Sequence, residues 1–288
     1  MLDLTDLHIF SVVVAEGGIT MAARKLHRVP SSITMRIKNL EASVGTQLFF
    51  RSKQRLHLSP SGEVLLAFVT QLLRLSEEAQ SALSGAAPRG ALRLGALEST
   101  TASRLPAILA AYHKQYPEVQ VELITGTNDA LVTAVLERRV DAAFVAEAPA
   151  DREVSHTPLF TERLTVISAL DHRRISGPRD VDGDSVIAFP NGCAYRRRLH
   201  RWLGATSVAT TRVLDLSSYH AIVACVASGT GIALVPESVL DTLPRVQVKR
   251  HALPREHAHI VTPLIWRTRE QSRALLALKE QLRAVPKR

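Results

Sequence analysis

The sequence predicts an α/β protein with an N-terminal winged helix-turn-helix, a long linker helix and a two-lobed α/β domain. Three patterns support this order: short helical repeats and a strand pair in residues 1–58, one heptad repeat in residues 59–90, and alternating strands and helices in residues 91–288. The chain has 288 residues, of which 46% are hydrophobic. This is enough for one or two globular domains without disulfide bonds.

The composition excludes several classes of protein. Two cysteines, Cys193 and Cys225, are too few for a disulfide framework, and 5% aromatic with 22% charged residues fits neither a secreted mini-scaffold nor a disordered tail. The first ten residues carry acids where a signal peptide carries lysines, and no apolar run reaches the roughly 18 to 20 residues of a membrane span. We therefore expect a cytoplasmic protein that makes no membrane contact.

The N-terminal elements are predicted from helical spacing and caps. A first helix is expected from Leu4 to Ala15, and Thr20 is the predicted N-cap of a second helix that ends at Leu26. A third helix begins at Pro30, and its buried stripe consists of Ile33, Ile37 and Leu40. Two short helices joined by a tight turn are typical of a helix-turn-helix, whose second helix enters the major groove of DNA.

Most of the surplus positive charge lies in this region. The whole chain carries 36 Lys plus Arg against 27 Asp plus Glu, a net charge of +9. Residues 20–58 contain eight basic residues and one acid, Glu41, so their net charge is +7. This concentration favours a polyanion partner, and a solvated basic face is the alternative.

A short two-stranded wing is expected after the third helix, because Leu56 and Leu58 alternate with polar residues. Its outer surface would carry Arg51, Lys53 and Arg55, placed to contact a phosphate backbone or a minor groove.

The linker helix is predicted to start with Ser59 as cap and Pro60 as first residue, and to end near Ser84. A heptad seam follows from the spacing of Leu65, Phe68, Leu72, Leu75, Ala79 and Ala82. Self-association would bury this seam, and packing on the chain's own helix-turn-helix is the alternative. Residues 84–90 have the composition of a hinge.

Residues 91–288 are predicted to form two lobes, one from residues 91–163 and 267–288 and one from residues 164–266. Strands are expected at 91–96, 119–125, 141–145, 164–169, 185–189, 209–214, 232–235 and 260–266, and helices at 99–116, 129–138, 196–203, 219–227 and 270–282. Repeated β-α-β units imply a parallel sheet, with a ligand cleft at the carboxyl ends of its strands.

Three strings along the whole chain resemble the LysR-type transcriptional regulators: residues 10–66, from FSVVVAEGG to SGEVLL, RRVDAAFV at 138–145 and VASGTGIALVP at 226–236. The resemblance implies a winged helix-turn-helix, a dimerising linker helix and an effector domain of the periplasmic-binding-protein type. Residues 95–120, 189–203 and 217–236 are similar to a subgroup that includes a regulator of putrescine utilisation. The implied partners are a promoter inverted repeat in duplex DNA, a small-molecule effector, a second copy of the chain in a homodimer or homotetramer, and RNA polymerase.

The expected DNA contacts lie in the helix-turn-helix and the wing. They are Thr20, Pro30, Ser31, Ser32, Thr34, Met35, Arg36, Lys38, Arg51, Lys53 and Arg55. Most members of the resembled family begin the recognition helix with Gln-Pro where this chain has Pro30-Ser31, and carry Arg where it has Met35. We therefore assign base readout to Ser31 and Thr34 and phosphate contact to Arg36.

The expected effector contacts are polar residues after strands and at helix starts. They are Glu98, Ser99, Thr100, Thr101, Thr125, Thr127, Asn191, Cys193, Tyr195, Arg196, Ser218 and Tyr219. A helix beginning at Ser99 favours an anionic ligand, whereas Glu98 favours an ammonium group. The subgroup resemblance implies a diamine or an amino-acid-like polyamine catabolite. The alternatives are a solvated Glu98 and a Tyr219 that only packs.

Enzymatic and metal chemistry are not expected. The sequence has no HExxH, GxSxG, GKS or GKT motif, and His257 with His259 offers only two ligands. Gly229-Thr230-Gly231 follows a helix and precedes a strand, which favours a helix C-cap over a nucleotide-binding turn. We therefore expect no enzyme, no cofactor and no metal.

Two further features have open interpretations. Cys193 is either a core residue or a redox sensor activated by nearby arginines. The arginines at 196, 197, 198 and 201 spread around a helix, so we expect most of them to be solvated and one to point to the cleft, with a non-specific DNA contact as the alternative. A stand-alone small-molecule binding protein is the alternative to a regulator, and residues 1–58 argue against it.

Overall fold

A computed structural model describes residues 2–52, 55–83, 87–204, 212–269 and 271–284. The chain forms two compact units, Met1–Ala86 and Ala87–Arg288. Lys53 and residues 84–86 of the predicted hinge lie outside the described residues. For Arg51 and Arg55 only the backbone is described.

The first unit is a helix-turn-helix with a two-stranded wing and a long helix. Its elements are α1 Leu4–Ala15, α2 Ile19–Lys25, α3 Pro30–Val44, β1 Phe49–Ser52, β2 Arg55–Leu58 and α4 Pro60–Leu83. Phe10 of α1 and Ile33 of α3 are fully buried in one core, which Val69 of α4 completes. Hydrophobic burial by these three helices therefore holds the unit together.

Local hydrogen bonds set the helix ends. The carboxylate of Asp3 accepts from the backbone N–H of Thr5 at 2.7 Å and caps α1. The hydroxyl of Ser59 accepts from the backbone N–H of Gly62 at 3.0 Å, which confirms the predicted cap of α4. The predicted cap at Thr20 is wrong, because α2 already begins at Ile19 and Gly18 occupies the cap position without a side-chain bond.

The long helix α4 is apolar on two faces. Val69 is buried against the first unit's core, and Leu65 packs beside it. Phe68 and Leu75 remain 59% and 60% exposed, and Leu72 is 39% exposed. The predicted seam is therefore divided, with one part packed within the unit and one part uncovered. In the described part of the chain, no single helix is both long and apolar enough to cross a membrane.

The second unit contains one large sheet and one small sheet. Its strands are β3 Gly90–Ala96, β4 Val119–Thr125, β5 Ala142–Phe144, β6 Val154–Ser168, β7 Ser185–Ala188, β8 Arg212–Asp215, β9 Ala233–Pro236, β10 Lys249–Ala252 and β11 His259–Arg267. The large sheet has the order β10-β6-β11-β5-β3-β4, with β9 also paired to β6, and β7 pairs with β8.

Helices cover these sheets. They are α5 Glu98–Ser103, α6 Leu105–Gln115, α7 Asn128–Leu136, α8 Ala194–Gly204, α9 Tyr219–Ala227, α10 Glu237–Asp241, α11 Arg255–Ala258 and α12 Arg273–Arg283, with a 3-10 turn at Pro178–Val181. The single helix predicted at 99–116 is wrong, since it breaks at Arg104 into α5 and α6. Pro106 explains the break, because its ring removes one N–H and clashes with the preceding turn.

Two long strands connect the lobes. Lobe I contains β3, β4, β5, α5, α6, α7 and α12, and lobe II contains β7 to β10 with α8 to α11. β6 and β11 run antiparallel through both, and their register shifts between Thr262 and Pro263. The predicted parallel pairing is confirmed for β3 with β4 and β5, but the large sheet as a whole is mixed. β11 pairs antiparallel with β5 and β6, and β6 pairs antiparallel with β9 and β10. The end of β11 from Leu264 to Trp266 pairs with β5, so the boundary predicted after residue 266 lies too late in the chain.

Candidate functional site

The exposed face of α3 carries a single stripe that contains both polar and apolar side chains. Ile33 and Ile37 are buried against α1 and α2, so the opposite side of the helix carries Ser31, Met35 and Lys38 at spacings of four and three. All three side chains are exposed. This stripe is the surface of α3 that can meet a ligand.

Two predicted DNA contacts on α3 are engaged within the unit. Nη1 of Arg36 lies 3.0 Å from Oδ1 of Asp6 in α1. The hydroxyl of Thr34 donates to the carbonyl oxygen of Pro30 at 2.9 Å. A phosphate contact by Arg36 must therefore share its guanidinium with a carboxylate, and Thr34 keeps only acceptor capacity for a base.

Exposed cations surround the stripe. Arg24, Arg28 and Lys38 are exposed, and within the described residues none of them forms an ion pair. The one acid of the basic segment, Glu41, accepts from the backbone N–H of Leu48 at 2.8 Å and ties the wing to α3. The unit therefore presents a positive surface, with Thr20 exposed and Ser32 half-buried at its edge.

A narrow pocket with a cavity volume of about 20 Å³ lies between lobe I and lobe II. Its walls come from Leu97, Glu98, Ser99, Gly126, Thr127 and Ala146 of lobe I and from Phe189, Cys193, Ala194, Tyr195 and Tyr219 of lobe II. Six predicted contacts are brought together here: Glu98, Ser99, Thr127, Cys193, Tyr195 and Tyr219. This volume holds about one water molecule, so the walls must move apart to admit a metabolite.

Three predicted contacts of lobe I lie outside this wall. Thr100 is buried at 2% exposure, and the hydroxyl of Thr101 donates back to the carbonyl oxygen of Leu97 at 3.1 Å. Thr125 is exposed at the end of the edge strand β4. Helical and strand periodicity therefore turns these side chains away from the cleft.

Three predicted contacts of lobe II also lie outside it. The guanidinium of Arg196 binds the carboxylate of Asp215 and the carbonyl oxygen of Phe189. Asn191 is exposed in the turn before α8, and Ser218 stands at the N-cap position of α9. The backbone turns before α8 and α9 approach the pocket, but these side chains do not line it.

Glu98 is the carboxyl group among the residues that line the pocket. Its Oε1 accepts from the backbone N–H of Tyr219 at 3.4 Å, while its Oε2 is buried and has no hydrogen-bond partner among the described residues. Burial raises the pKa of this carboxyl group. An unpartnered carboxylate oxygen costs free energy until a donor reaches it, so this oxygen is a ready position for a ligand N–H or ammonium group.

Two tyrosines complete the polar part of the wall. The hydroxyl of Tyr195 lies 3.5 Å from the hydroxyl of Ser99, and burial raises the pKa of Tyr195. Tyr219 packs its ring 4.8 Å from the ring of Phe189, and burial raises its pKa as well. Both phenols therefore stay neutral at physiological pH. Tyr219 both packs and lines the pocket, so the two predicted roles coexist.

Cys193 is buried in the pocket wall. Burial raises the pKa of its thiol, and backbone N–H groups of α8 only partly oppose this. Because the thiolate is the reactive species, this environment disfavours the redox interpretation. Cys193 instead supplies a small apolar surface to the cleft.

A cluster of charges joins the lobes beside the pocket, and we call it the interlobe clamp. Arg197 of α8 contacts Asp129 at 3.0 Å and Glu147 at 2.8 Å, and Arg201 lies 3.3 Å from Glu147. Arg198 instead donates to the carbonyl oxygen of His259 at 2.8 Å. All four arginines of this helix have internal partners, which argues against the alternative of a non-specific DNA contact.

The other side of the cleft has a second polar connection. Glu162 of β6 is only 3% exposed. Its carboxylate accepts hydrogen bonds from Nε of Arg104 in lobe I at 2.8 Å and from the hydroxyl of Ser238 in lobe II at 2.6 Å. A buried carboxylate on the connecting strand therefore binds both lobes.

Sequence reasoning missed the apolar walls. Five lining positions have no polar side chain that would bind a ligand: 97, 126, 146, 189 and 194. Each of them adjoins a strand end or a helix start, and this placement is the signal that would have predicted them. His257 and His259 bind no common site, and the described residues contain no group of three or more His, Cys, Asp or Glu side chains placed to hold a metal.

Known proteins share both units. The family described as "Bacterial regulatory helix-turn-helix protein, lysR family" matches residues 4–63, and "LysR substrate binding domain" matches residues 85–287. The chain is 36% identical to "Uncharacterized HTH-type transcriptional regulator YusT" of Bacillus subtilis (strain 168) over 82% of this chain and 79% of that protein. It is 30% identical to "HTH-type transcriptional regulator GltR" of the same strain over 91% and 89%.

Solved structures share the fold. The full-length regulator CbnR in complex with its target DNA has a TM-score of 0.70 and 21% identity, and the match covers 98% of this chain and 99% of that one. None of these three descriptions names putrescine, so they do not support the finer subgroup resemblance.

Proposed function

This chain belongs to the LysR family of transcriptional regulators, and we propose that a small cationic effector bound at Glu98 controls its activity. As a member of that family it is a DNA-binding regulator with an effector domain, and not an enzyme. The observation that carries the proposal is the buried, unpartnered Oε2 of Glu98 in the interlobe pocket.

The pocket chemistry supports a diamine or an amino-acid-like polyamine catabolite. An ammonium group would satisfy Oε2 of Glu98, and the neutral hydroxyls of Ser99 and Tyr195 could accept or donate one further bond. The remaining wall is apolar and suits a short methylene chain. A simple monoanion would instead place like charge beside Glu98, which is unfavourable.

Effector binding would act by shifting the lobe equilibrium. A ligand held between Glu98 of lobe I and the starts of α8 and α9 in lobe II would favour the lobe spacing at which it contacts both walls. It can shift the equilibrium by no more than its differential affinity for the two states. We further propose that the regulator acts in the cytoplasm on a promoter inverted repeat, as a homodimer or homotetramer in contact with RNA polymerase.

Calorimetry on the full chain tests the effector proposal. Putrescine, 4-aminobutyrate and succinate semialdehyde would be titrated into wild type, Glu98→Gln and the control Glu122→Gln. Glu122 is a suitable control because it pairs with Arg93 in lobe I and does not line the pocket. We expect Glu98→Gln to weaken diamine binding about 10- to 100-fold, as expected for a lost charge-assisted hydrogen bond, and Glu122→Gln to leave it unchanged.

Two results would contradict the proposal. Equal putrescine affinity in wild type and Glu98→Gln would remove the cation-pairing role of Glu98. Binding of succinate semialdehyde alone would replace the cationic effector with a neutral or anionic one.

The DNA-binding surface has its own test. A gel shift with the intergenic DNA beside its gene would compare wild type with the triple variant Arg51→Ala, Lys53→Ala and Arg55→Ala at several salt concentrations. Each phosphate contact adds roughly one unit to the slope of log affinity against log salt, so we expect a slope reduced by about three. An unchanged slope would show that the wing does not contact phosphate.

A further inference from the structure

The DNA-reading stripe of α3 has an apolar residue at its centre. Met35 is 59% exposed and lies between Ser31 and Lys38 on the face opposite the buried Ile33 and Ile37. Val29, which immediately precedes the helix, is 63% exposed. Met35 is therefore more exposed than buried, and its apolar surface is available to a ligand.

The two polar residues that flank Met35 in the sequence are engaged within the unit, so Met35 forms a larger part of the surface that can contact bases. Arg36 is paired with Asp6, and the hydroxyl hydrogen of Thr34 is committed to the carbonyl oxygen of Pro30. Ser31 is exposed on the same stripe. The stripe therefore combines one short polar group, one cation at Lys38, and the long, adaptable apolar side chain of Met35.

Base edges in the major groove offer only one apolar partner. Every base pair presents hydrogen-bond donors and acceptors there, and the 5-methyl group of thymine is the one hydrocarbon group among them. The thioether of Met35 cannot donate a hydrogen bond and accepts only weakly. Its favourable contact with a base edge is therefore burial of a methyl group.

The charges around the stripe favour DNA over a protein as its partner. Lys38 lies on the stripe itself, and Arg24 and Arg28 are exposed at the end of α2 and in the following turn. Cations on both sides of an apolar contact match a groove edged by two phosphate backbones. A purely hydrophobic protein interface would instead be depleted of such charges at its centre.

We propose that Met35 is a specificity-determining residue that selects thymine in the operator through contact with its 5-methyl group. This inference rests on DNA binding by the first unit and is independent of the effector. Replacing thymine by uracil removes that methyl group and nothing else, so it isolates the contact.

The experiment uses full-length protein and no effector. Sites are first selected from a random duplex library, and each thymine of the preferred site is then replaced by uracil, one position at a time. For wild type we expect a loss of about fourfold at one thymine in each half-site, the factor for one buried methyl group. Met35→Ala should bind thymine and uracil equally at that position and keep any discrimination elsewhere.

The control is Met21→Ala, since Met21 is 49% exposed but lies on α2. It should keep the thymine preference of wild type. The proposal is overturned if no uracil substitution weakens wild type, or if Met35→Ala still distinguishes the two bases. It is also overturned if Met35→Ala changes the light-scattering mass and leaves the thymine preference intact, because Met35 would then contact a second copy. Failure of putrescine binding would leave all these outcomes unchanged.

Discussion

Removing Arg197 should loosen the closed arrangement of the two lobes. Its guanidinium joins α8 of lobe II to Asp129 and Glu147 of lobe I at 3.0 and 2.8 Å. These side chains are 39%, 60% and 37% exposed, so water screens each pair and each contributes about 0.5–1 kcal/mol. Arg197→Gln should therefore favour the open state by about 1–2 kcal/mol, a factor of roughly 5 to 30.

One backbone amide reports this opening directly. The N–H of Asp129 lies in the first turn of α7, where a helix offers no acceptor, and it donates across the cleft to the carbonyl oxygen of Gly192 at 3.4 Å. Its hydrogen exchange should follow the opening equilibrium of the lobes. We expect exchange at Asp129 to accelerate by the same factor in Arg197→Gln, and high salt to accelerate it more in wild type than in the variant.

A matched variant separates the interlobe clamp from a general loss of charge. Arg139→Gln removes an arginine that pairs with Glu137 at 2.8 Å within lobe I. It should leave exchange at Asp129 unchanged. Identical exchange at Asp129 in wild type and Arg197→Gln would refute the reasoning, since the ion pairs would then contribute nothing to closure.

Three other perturbations have defined outcomes. Because burial raises the pKa of Glu98, ionisation of this group lowers the stability of the folded state as pH rises. Glu98→Gln should therefore raise the melting temperature relative to wild type, with a larger difference at pH 8 than at pH 5. Gly62→Ala would place a Cβ 2.3 Å from the carbonyl oxygen of Leu48, which should lower the unfolding free energy of the first unit by about 1–3 kcal/mol in denaturant titrations. Leu72→Asp with Leu75→Asp would bury charge in the proposed dimer interface of α4, so light scattering should report a monomer; an unchanged mass would exclude this face as the interface.

Local patterns in the sequence predicted most of the fold. The first helix, Leu4–Ala15, and the helix Tyr219–Ala227 have the predicted bounds, because apolar periodicity and nearby caps act within one helix. Six of the twelve residues predicted to contact an effector line the interlobe pocket, since polar residues at strand ends such as Glu98 and Thr127 meet at one edge of a parallel sheet.

The remaining features depend on residues far apart in the chain. The sequence around Arg36 does not show that its guanidinium pairs with Asp6, and the sequence around Arg197 does not identify Glu147 as its ion-pair partner. The buried stripe of α3 was predicted, but the exposure of Met35 became meaningful only when Arg36 and Thr34 proved to be engaged within the unit. Tertiary contacts decide which of several chemically suitable groups remains free.

The path of the chain through the lobes has a practical consequence for engineering. The chain leaves lobe I along β6 and returns along β11, and Arg163 and His259 are paired neighbours on these strands. Lobe II is thus a continuous insertion whose two ends lie side by side, the arrangement in which grafting of a foreign segment is best tolerated. Exchanging residues 164–258 between homologues would replace one wall of the pocket and keep the DNA-binding unit that selects the promoter. The resulting chimeras would serve as biosensors.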